Sequence, residues 1–258
     1  MNSPVVLITG ALAGIGRATA LAFAHSGARL VVSGRRPAEG AALEAELREL
    51  GSDAFFVQAD VRHDDEVRNL IDQTVARFGR LDVAVSNAGT EGTPGPVTEA
   101  SADSYAATFD TNVLGMLLSL KHELRVMTGQ RSGSIINISS TYGVVSPDQS
   151  VYDYRRLGGH EYYKPVGYSV AKSGMLNFTR WLAEYAAPLG VRVNTLVPGG
   201  VQEADHAPEF VAEYEKRTPL GRMARDDDYN GAVLFLASAA SAYMTGAMLV
   251  VDGGWTAR

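Results

Sequence analysis

Tyr168 and Lys172 close the run Tyr168-Ser169-Val170-Ala171-Lys172, a spacing that places a phenol and an ammonium on one face of a helix. A phenol with an ordinary pKa of ~10 keeps its proton at neutral pH, and an adjacent cation stabilises the phenolate enough to make it a usable general acid or base. Any amphipathic helix can carry this pair, so its meaning depends on what the rest of the chain brings near it. A second chemistry-bearing stretch is Thr9-Gly10-Ala11-Leu12-Ala13-Gly14-Ile15-Gly16, set between the apolar run Val5-Val6-Leu7-Ile8 and a helical stretch from Arg17 to Ser26. The order strand, glycine-rich turn, helix suits a dinucleotide pyrophosphate, because the glycines permit close backbone approach and the helix start presents free N–H groups. The spacing is G-x-x-x-G-x-G rather than the more familiar G-x-G-x-x-G.

The elements that must position these residues follow from periodicity. Ala28 to Ser33, Ala54 to Gln58, Leu81 to Val85, Ser134 to Ile138, Val191 to Leu196 and Ala247 to Val251 read as further strands. Between them, Leu43, Leu47 and Leu50 mark one helix, and Val67, Leu70, Ile71, Thr74, Val75 and Phe78 mark another. A long helical region is expected from about Ala102 to Met127. Alternating strands and helices imply parallel pairing, hence an α/β, Rossmann-type doubly wound sheet of about seven strands with helices on both faces. No linker or repeat divides residues 1–258, so one dinucleotide-binding and catalytic domain is expected.

Composition narrows the chemistry. Apolar residues make up 46% of the 258 residues and charged residues 20%, ample for a core and unlike a disordered chain. A net charge of -6 with scattered basic residues argues against nucleic acid. The lack of cysteine removes disulfides, thiol nucleophiles and thiolate-bound zinc. His63 followed by Asp64, Asp65 and Glu66 reads as acids opening a helix rather than as a metal site, and no metal is expected. A strand beginning at Val5 leaves no room for a signal peptide, and no apolar run approaches the ~20 residues of a membrane span. A cytoplasmic location and no membrane partner are the expectation.

Taken together, T9GALAGIG16, Asp60-Val61, S86NAG89, Asn112, Ser139-Ser140, Y168SVAK172, N194TLVPGG200 and V251DGG254 resemble the short-chain dehydrogenase/reductase family over essentially the whole chain. The resemblance implies that Tyr168 transfers a proton to or from the substrate oxygen. Lys172 would lower its pKa and hold the nicotinamide ribose. Ser140, rather than Ser139, would donate a hydrogen bond to the carbonyl oxygen, and Asn112 would help hold a relay water near Lys172. It further implies cofactor contacts from Gly10, Gly14, Ile15, Gly16, Asp60, Val61, Asn87, Ala88, Gly89, Pro198, Gly199 and Val201, with Arg35 and Arg36 after the second strand. Gly34 offers no carboxylate for a ribose 2′-hydroxyl and Arg35 offers a fork suited to a 2′-phosphate, so NADP(H) is expected in preference to NAD(H). Ala13 lacks the basic residue that many NADP-preferring relatives carry, which moderates the preference. The family's usual homo-oligomer, a tetramer or dimer, is carried over in the same way.

Three departures from the family pattern stand out: Ser86 for asparagine, Glu203 where a threonine often meets the carboxamide, and a long interval between Ser140 and Tyr168. Residues 144–167 and 200–218 are expected to face the substrate. Tyr152, Tyr154, Tyr162 and Tyr163 could pack on sugar C–H faces, while Asp153, His160 and Glu161 could take directional hydrogen bonds, and Glu203 would add to the other wall. The acids between Gln202 and Thr218 would favour a neutral or cationic substrate. The expected reaction is ketone reduction or alcohol oxidation on a small polar, sugar- or aminosugar-like molecule. Acyl thioesters, apolar ketones such as steroids, and a non-catalytic dinucleotide sensor are the alternatives.

Overall fold

Strand β1 (Val5–Thr9) shows how the apolar runs are used: Val6 and Ile8 enter one core cluster and Leu7 the other. A period of two does this when both faces of a sheet are covered. The same division recurs in β2 (Arg29–Gly34), where Leu30 and Val32 oppose Val31, and in β5 (Gly133–Ile138), where Ile136 and Ile138 oppose Ile135. With β3 (Ala54–Gln58), β4 (Val83–Ser86), β6 (Val191–Pro198) and β7 (Met248–Val251) they form one seven-stranded sheet ordered β3-β2-β1-β4-β5-β6-β7. All neighbours are parallel. The computed structural model describes residues 3–158 and 162–257.

Helices α1 (Gly14–His25) and α2 (Pro37–Glu49) cover one face, contributing Ala20, Phe23, Leu43 and Leu47 to its cluster. Helix α3 (Asp64–Phe78) covers the other with Leu70 and Ile71. The doubly wound architecture expected from the sequence is the one formed. Each fully buried Leu, Ile or Val contributes roughly 1.5–3 kcal/mol by leaving water, so the strand ends that carry the turns rest on a rigid base. The acids before α3 act as the sequence implied: Asp64, Asp65 and Glu66 lie in its first turn, and Glu66 accepts from the Asp60 N–H at 2.8 Å. No helix among the described residues is long and apolar enough to cross a membrane.

The expected long helix from Ala102 is interrupted. Helix α4 (Ala102–Phe109) passes through a π-turn, Asp110–Leu114, into α5 (Gly115–Gln130). The Gly115 N–H reaches back five residues to the Asp110 carbonyl. Asn112 sits in this turn, fully buried, and its amide clamps Thr90 from both sides: Oδ1 accepts from the Thr90 N–H at 3.0 Å and Nδ2 donates to the Thr90 carbonyl at 2.8 Å. Such insertions re-aim a side chain at the expense of one regular helical bond.

The described residues between 144 and 158 are not an open loop. A 3₁₀ turn, Gln149–Tyr152, runs into the short helix α6 (Asp153–Leu157), before α7 (Val166–Ala186) carries Tyr168 and Lys172. Opposite lies α8 (Pro208–Arg217), followed by α9 (Asn230–Ala237) on the α1 face. The two substrate-side segments share a third core of Val151, Tyr152, Phe210, Tyr214, Met223 and Trp255. Arg217 laces them together, donating to Asp148 at 2.7 Å, Ser150 at 2.8 Å and Glu213 at 2.7 Å.

Candidate active site

The strand order reverses beside β1, which pairs with β2 on one side and β4 on the other, and this opens a crevice at the carboxyl ends of β1 and β4. Gly10 has a φ of +63°, and a Cβ there would lie 2.7 Å from the Ala88 Cα. A Cβ on Gly16 would lie 2.3 Å from the Gly10 carbonyl oxygen, so only glycine lets α1 start this close to the turn. Asn87 closes the arrangement, its Nδ2 donating to the Thr9 and Gly10 carbonyls at 3.2 and 2.9 Å. Gly14 begins α1, and Ala13 before it supplies no side-chain cap, leaving first-turn N–H groups for a ligand or solvent.

Two hollows meet here. One, of about 310 Å³, is lined by Gly10, Gly34, Arg35, Arg36, Asp60, Val61, Ala88 and Gly89. Arg36 is paired with Glu39 at 3.3 Å, whereas no ion pair among the described residues engages Arg35. Asp60 is gripped by Arg62 at 2.6 Å, whose hydrogen bonds hold its carboxyl below the usual range. The larger cleft, about 610 Å³, is lined by Ile15, Asn87, Gly89, Ser140, Tyr168, Lys172, Pro198, Gly199 and Val201 among others. Gly199 is seated by its N–H to the Val251 carbonyl at 3.0 Å and by Tyr229, whose hydroxyl donates to its carbonyl at 2.9 Å. Val201 bridges to Ala224.

Tyr168, Lys172 and Ser140 converge on this cleft from α7 and the end of β5. Lys172 is 4% exposed, and its Nζ donates to the Ile138 carbonyl at 2.8 Å. It stands 5.8 Å from the centre of the Tyr168 ring. Burial pushes the ammonium down to about 8. Burial likewise pushes the Tyr168 phenol up to about 12, opposed by a hydrogen bond from Ser140 and reinforced by the Glu91 carboxylate. In this arrangement enclosure dominates the tyrosine, and the Ser140 hydrogen bond draws its pKa back down. The two serines separate cleanly. Ser139 donates to the main-chain carbonyl of Lys172 at 2.8 Å, while Ser140 caps the turn Thr141–Gly143 by accepting from the Tyr142 N–H at 3.2 Å and faces Tyr168. A Cβ on Gly89 would lie 2.8 Å from Asn112 Oδ1 and 3.4 Å from Lys172 Nζ, which brings the Asn112 turn beside the lysine. The Asn112 amide spends one acceptor site and one N–H on Thr90.

On the substrate side Tyr152, Tyr154, Tyr162 and Glu203 line the cleft as expected, and Tyr163 does not. His160 and Glu161 lie outside the described residues. Tyr152 and Tyr162, foreseen as stacking surfaces, also pack on neighbouring side chains. Tyr152 lies 5.4 Å from Phe210 and 4.6 Å from Tyr162, and the Arg155 guanidinium stands 4.4 Å from the Tyr162 ring. Glu203, Asp205 and His206 gather their ligand-capable atoms within 4.8 Å at the rim. His206 is accounted for without an ion, since its Nδ1 accepts from the Glu203 N–H at 3.2 Å and its ring meets Phe210 edge-on.

Sequence reasoning missed Tyr142, Phe210 and Tyr214 as cleft residues, the pairing of Lys164 with Glu91, and Glu123. Glu123 is wholly buried on α5, 3.4 Å from the Ser86 hydroxyl, and burial pushes its carboxyl up to about 8. Its signal was an acid on the inward stripe of an apolar helix, opposite the serine that departs from the family motif.

The sequence model of a family described as Enoyl-(Acyl carrier protein) reductase matches residues 10–256. Cis-4-hydroxycyclohexanecarboxylate dehydrogenase of Sinomonas cyclohexanicum is 38% identical, over 98% of this chain and 96% of its own. The chain belongs to the short-chain dehydrogenase/reductase family. This short-chain dehydrogenase/reductase is also 37% identical to the 3-oxoacyl-(acyl-carrier-protein) reductase of Synechocystis sp., over 98% of this chain and 97% of the relative. Among solved structures, a short-chain type dehydrogenase/reductase from Mycobacterium marinum superposes with a TM-score of 0.87 at 32% identity, covering 99% of this chain and 96% of that one. The family's nicotinamide cofactors fit the residues present: the space a Cβ on Gly10 or Gly16 would fill is part of the turn, and Gly89 lines both hollows.

Proposed function

We propose that this enzyme is an NADP(H)-dependent oxidoreductase that interconverts a carbonyl and a secondary alcohol on a small polar substrate, with residues 1–258 as one catalytic unit. The observation that carries the reading is the meeting of Ser140, Tyr168 and Lys172 in the 610 Å³ cleft that adjoins the glycine-lined hollow. Bound nicotinamide supplies the two-electron chemistry; the chain's own part is protonic. In the reducing direction the Ser140 hydroxyl donates to the carbonyl oxygen and Tyr168 gives up its phenolic proton to that oxygen. Lys172 steadies the phenolate that remains. Gly10, Gly14, Ile15, Gly16, Asn87 and Ala88 would hold the pyrophosphate side, Asp60 and Val61 the adenine, and Pro198, Gly199 and Val201 the carboxamide side.

Arg35, exposed beside Gly34 and without an ion-pair partner among the described residues, supports the NADP(H) preference, with NAD(H) the weaker ligand. Exposed Leu117, Trp181 and Tyr185 on α5 and α7 support a homo-oligomer of two or four copies. The tyrosines and Ser140 that line the cleft support a hydroxyl-bearing substrate, and the first relative named above acts, by its name, on a ring alcohol. The second relative keeps an acyl thioester as the competing reading. A screen at the NADPH absorbance band across hydroxylated cyclic ketones, acetoacetyl thioesters and steroid ketones decides between them. Hydroxylated ring ketones are expected to give the highest kcat/KM; preference for a thioester or steroid overturns the substrate assignment, and NADPH binding with no turnover at all favours a sensor.

A further inference from the structure

Lys164 is an enclosed cation on the substrate side of Tyr168. Its side chain is 10% exposed and its ammonium stands 5.5 Å from the Tyr168 ring centre and 5.8 Å from that of Tyr142. The Lys164 N–H donates to Gln149 Oε1 at 3.0 Å, which fixes the backbone that delivers it. Its ion-pair partner, Glu91, is 60% exposed and follows Thr90, the residue clamped by Asn112, on the stretch between β4 and α4. The pair is thus asymmetric, a sheltered ammonium with a solvent-facing carboxylate. Such a pair can exchange one carboxylate for another: the departing Glu91 is rehydrated, and the buried ammonium is never left unpaired.

We propose that Lys164 receives an acidic substituent of the substrate in exchange for Glu91, so that the substrate is a small secondary alcohol or ketone carrying a carboxylate. This rests on the oxidoreductase reading of the site and names its substrate class. Arg155 adds positive charge to the same lining. Glu203 and Asp205 are exposed at the rim, where solvent and salt screen their repulsion of an incoming anion. The charge expectation drawn from residues 202–218 therefore applies to the mouth, whereas the enclosed charge beside Tyr168 is positive.

The test compares shape-matched acids and amides. With 3- and 4-hydroxycyclohexanecarboxylates and their carboxamides as substrates, the wild-type kcat/KM should favour the acids by ~10-fold or more, the scale of a charge-assisted contact in a sheltered site. Lys164→Met should bring that ratio close to one, and Lys164→Arg should keep most of it. Independently, cyclohexanecarboxylate should bind the wild-type enzyme–NADPH complex more tightly than cyclohexanecarboxamide, read by nicotinamide fluorescence. Equal or better use of the amides, or an acid preference that survives Lys164→Met, overturns the proposal while leaving the oxidoreductase reading intact. Selective acid binding with no turnover of either series, and none across the ketone and thioester screen, would uphold the Lys164 site and overturn that reading instead.

Discussion

The hydroxyl of Ser139 donates to the main-chain carbonyl of Lys172 at 2.8 Å, tying the end of β5 to the helix turn that carries the lysine. Lys172 returns the tie through its Nζ, which donates to the Ile138 carbonyl at 2.8 Å. Two adjacent serines thus divide the work, Ser139 fixing the helix and Ser140 facing the phenol. Ser139→Ala should cost about 1 kcal/mol of stability, seen as a lowered Tm, with turnover reduced less than ~10-fold. Ser140→Ala should cost ~10²- to 10³-fold in kcat, the scale of a lost donor to a developing oxyanion. The reverse ranking in kcat would reassign the pair.

The proposed preference for NADPH rests on Arg35, which lines the smaller hollow. The wild type should show a higher kcat/KM with NADPH than with NADH, and Arg35→Ala should narrow the gap by ~10-fold or more, chiefly through KM for NADPH. Equal use of both cofactors by the wild type, or no change in the variant, contradicts the assignment.

Lys172 is costly to the fold. Its ammonium titrates at about 8 in the folded chain against 10.5 ordinarily. The unfolded chain binds more protons between those values, so the penalty is full below about pH 8 and fades as pH rises toward 10.5. Lys172→Met should therefore match or exceed the wild-type Tm at pH 7, lose that advantage above pH 8, and lose turnover and cofactor affinity throughout. A variant less stable than wild type at pH 7 would show that the bond to Ile138 outweighs the burial.

Glu123 carries the opposite sign. Its carboxyl holds its proton to about 8 in the folded chain and releases it near 4.5 when unfolded, so stability falls as pH rises across that window. Glu123→Gln should flatten this slope, with near parity in Tm at pH 5 and a clear gain at pH 8. A slope unchanged by the substitution would place the loss elsewhere.

The sheet and the Tyr168–Lys172 pair were legible because their signals are local. Apolar runs such as Val5-Val6-Leu7-Ile8 have the length and branching of doubly buried strands, and Tyr168 and Lys172 are fixed by helical geometry alone. The π-turn at Asn112 was not legible, since its cause is a long-range clamp on Thr90 that no helical periodicity encodes. Nor was the aromatic packing beside the cleft: Tyr152 stacks on Phe210, nearly sixty positions away, and lies against Tyr162. Lys164 reads as one more charge in a polar segment until the fold places Glu91 and Tyr168 beside it.

The most direct test of the central claim is Tyr168→Phe, assayed for turnover and for NADPH affinity on the same preparation. Removing the hydroxyl that carries the transferable proton should lower kcat by ~10²- to 10⁴-fold while the NADPH Kd stays within about a factor of three of wild type. A variant that keeps most of its kcat would contradict Tyr168 as the proton-transferring group, and with it the account of the site.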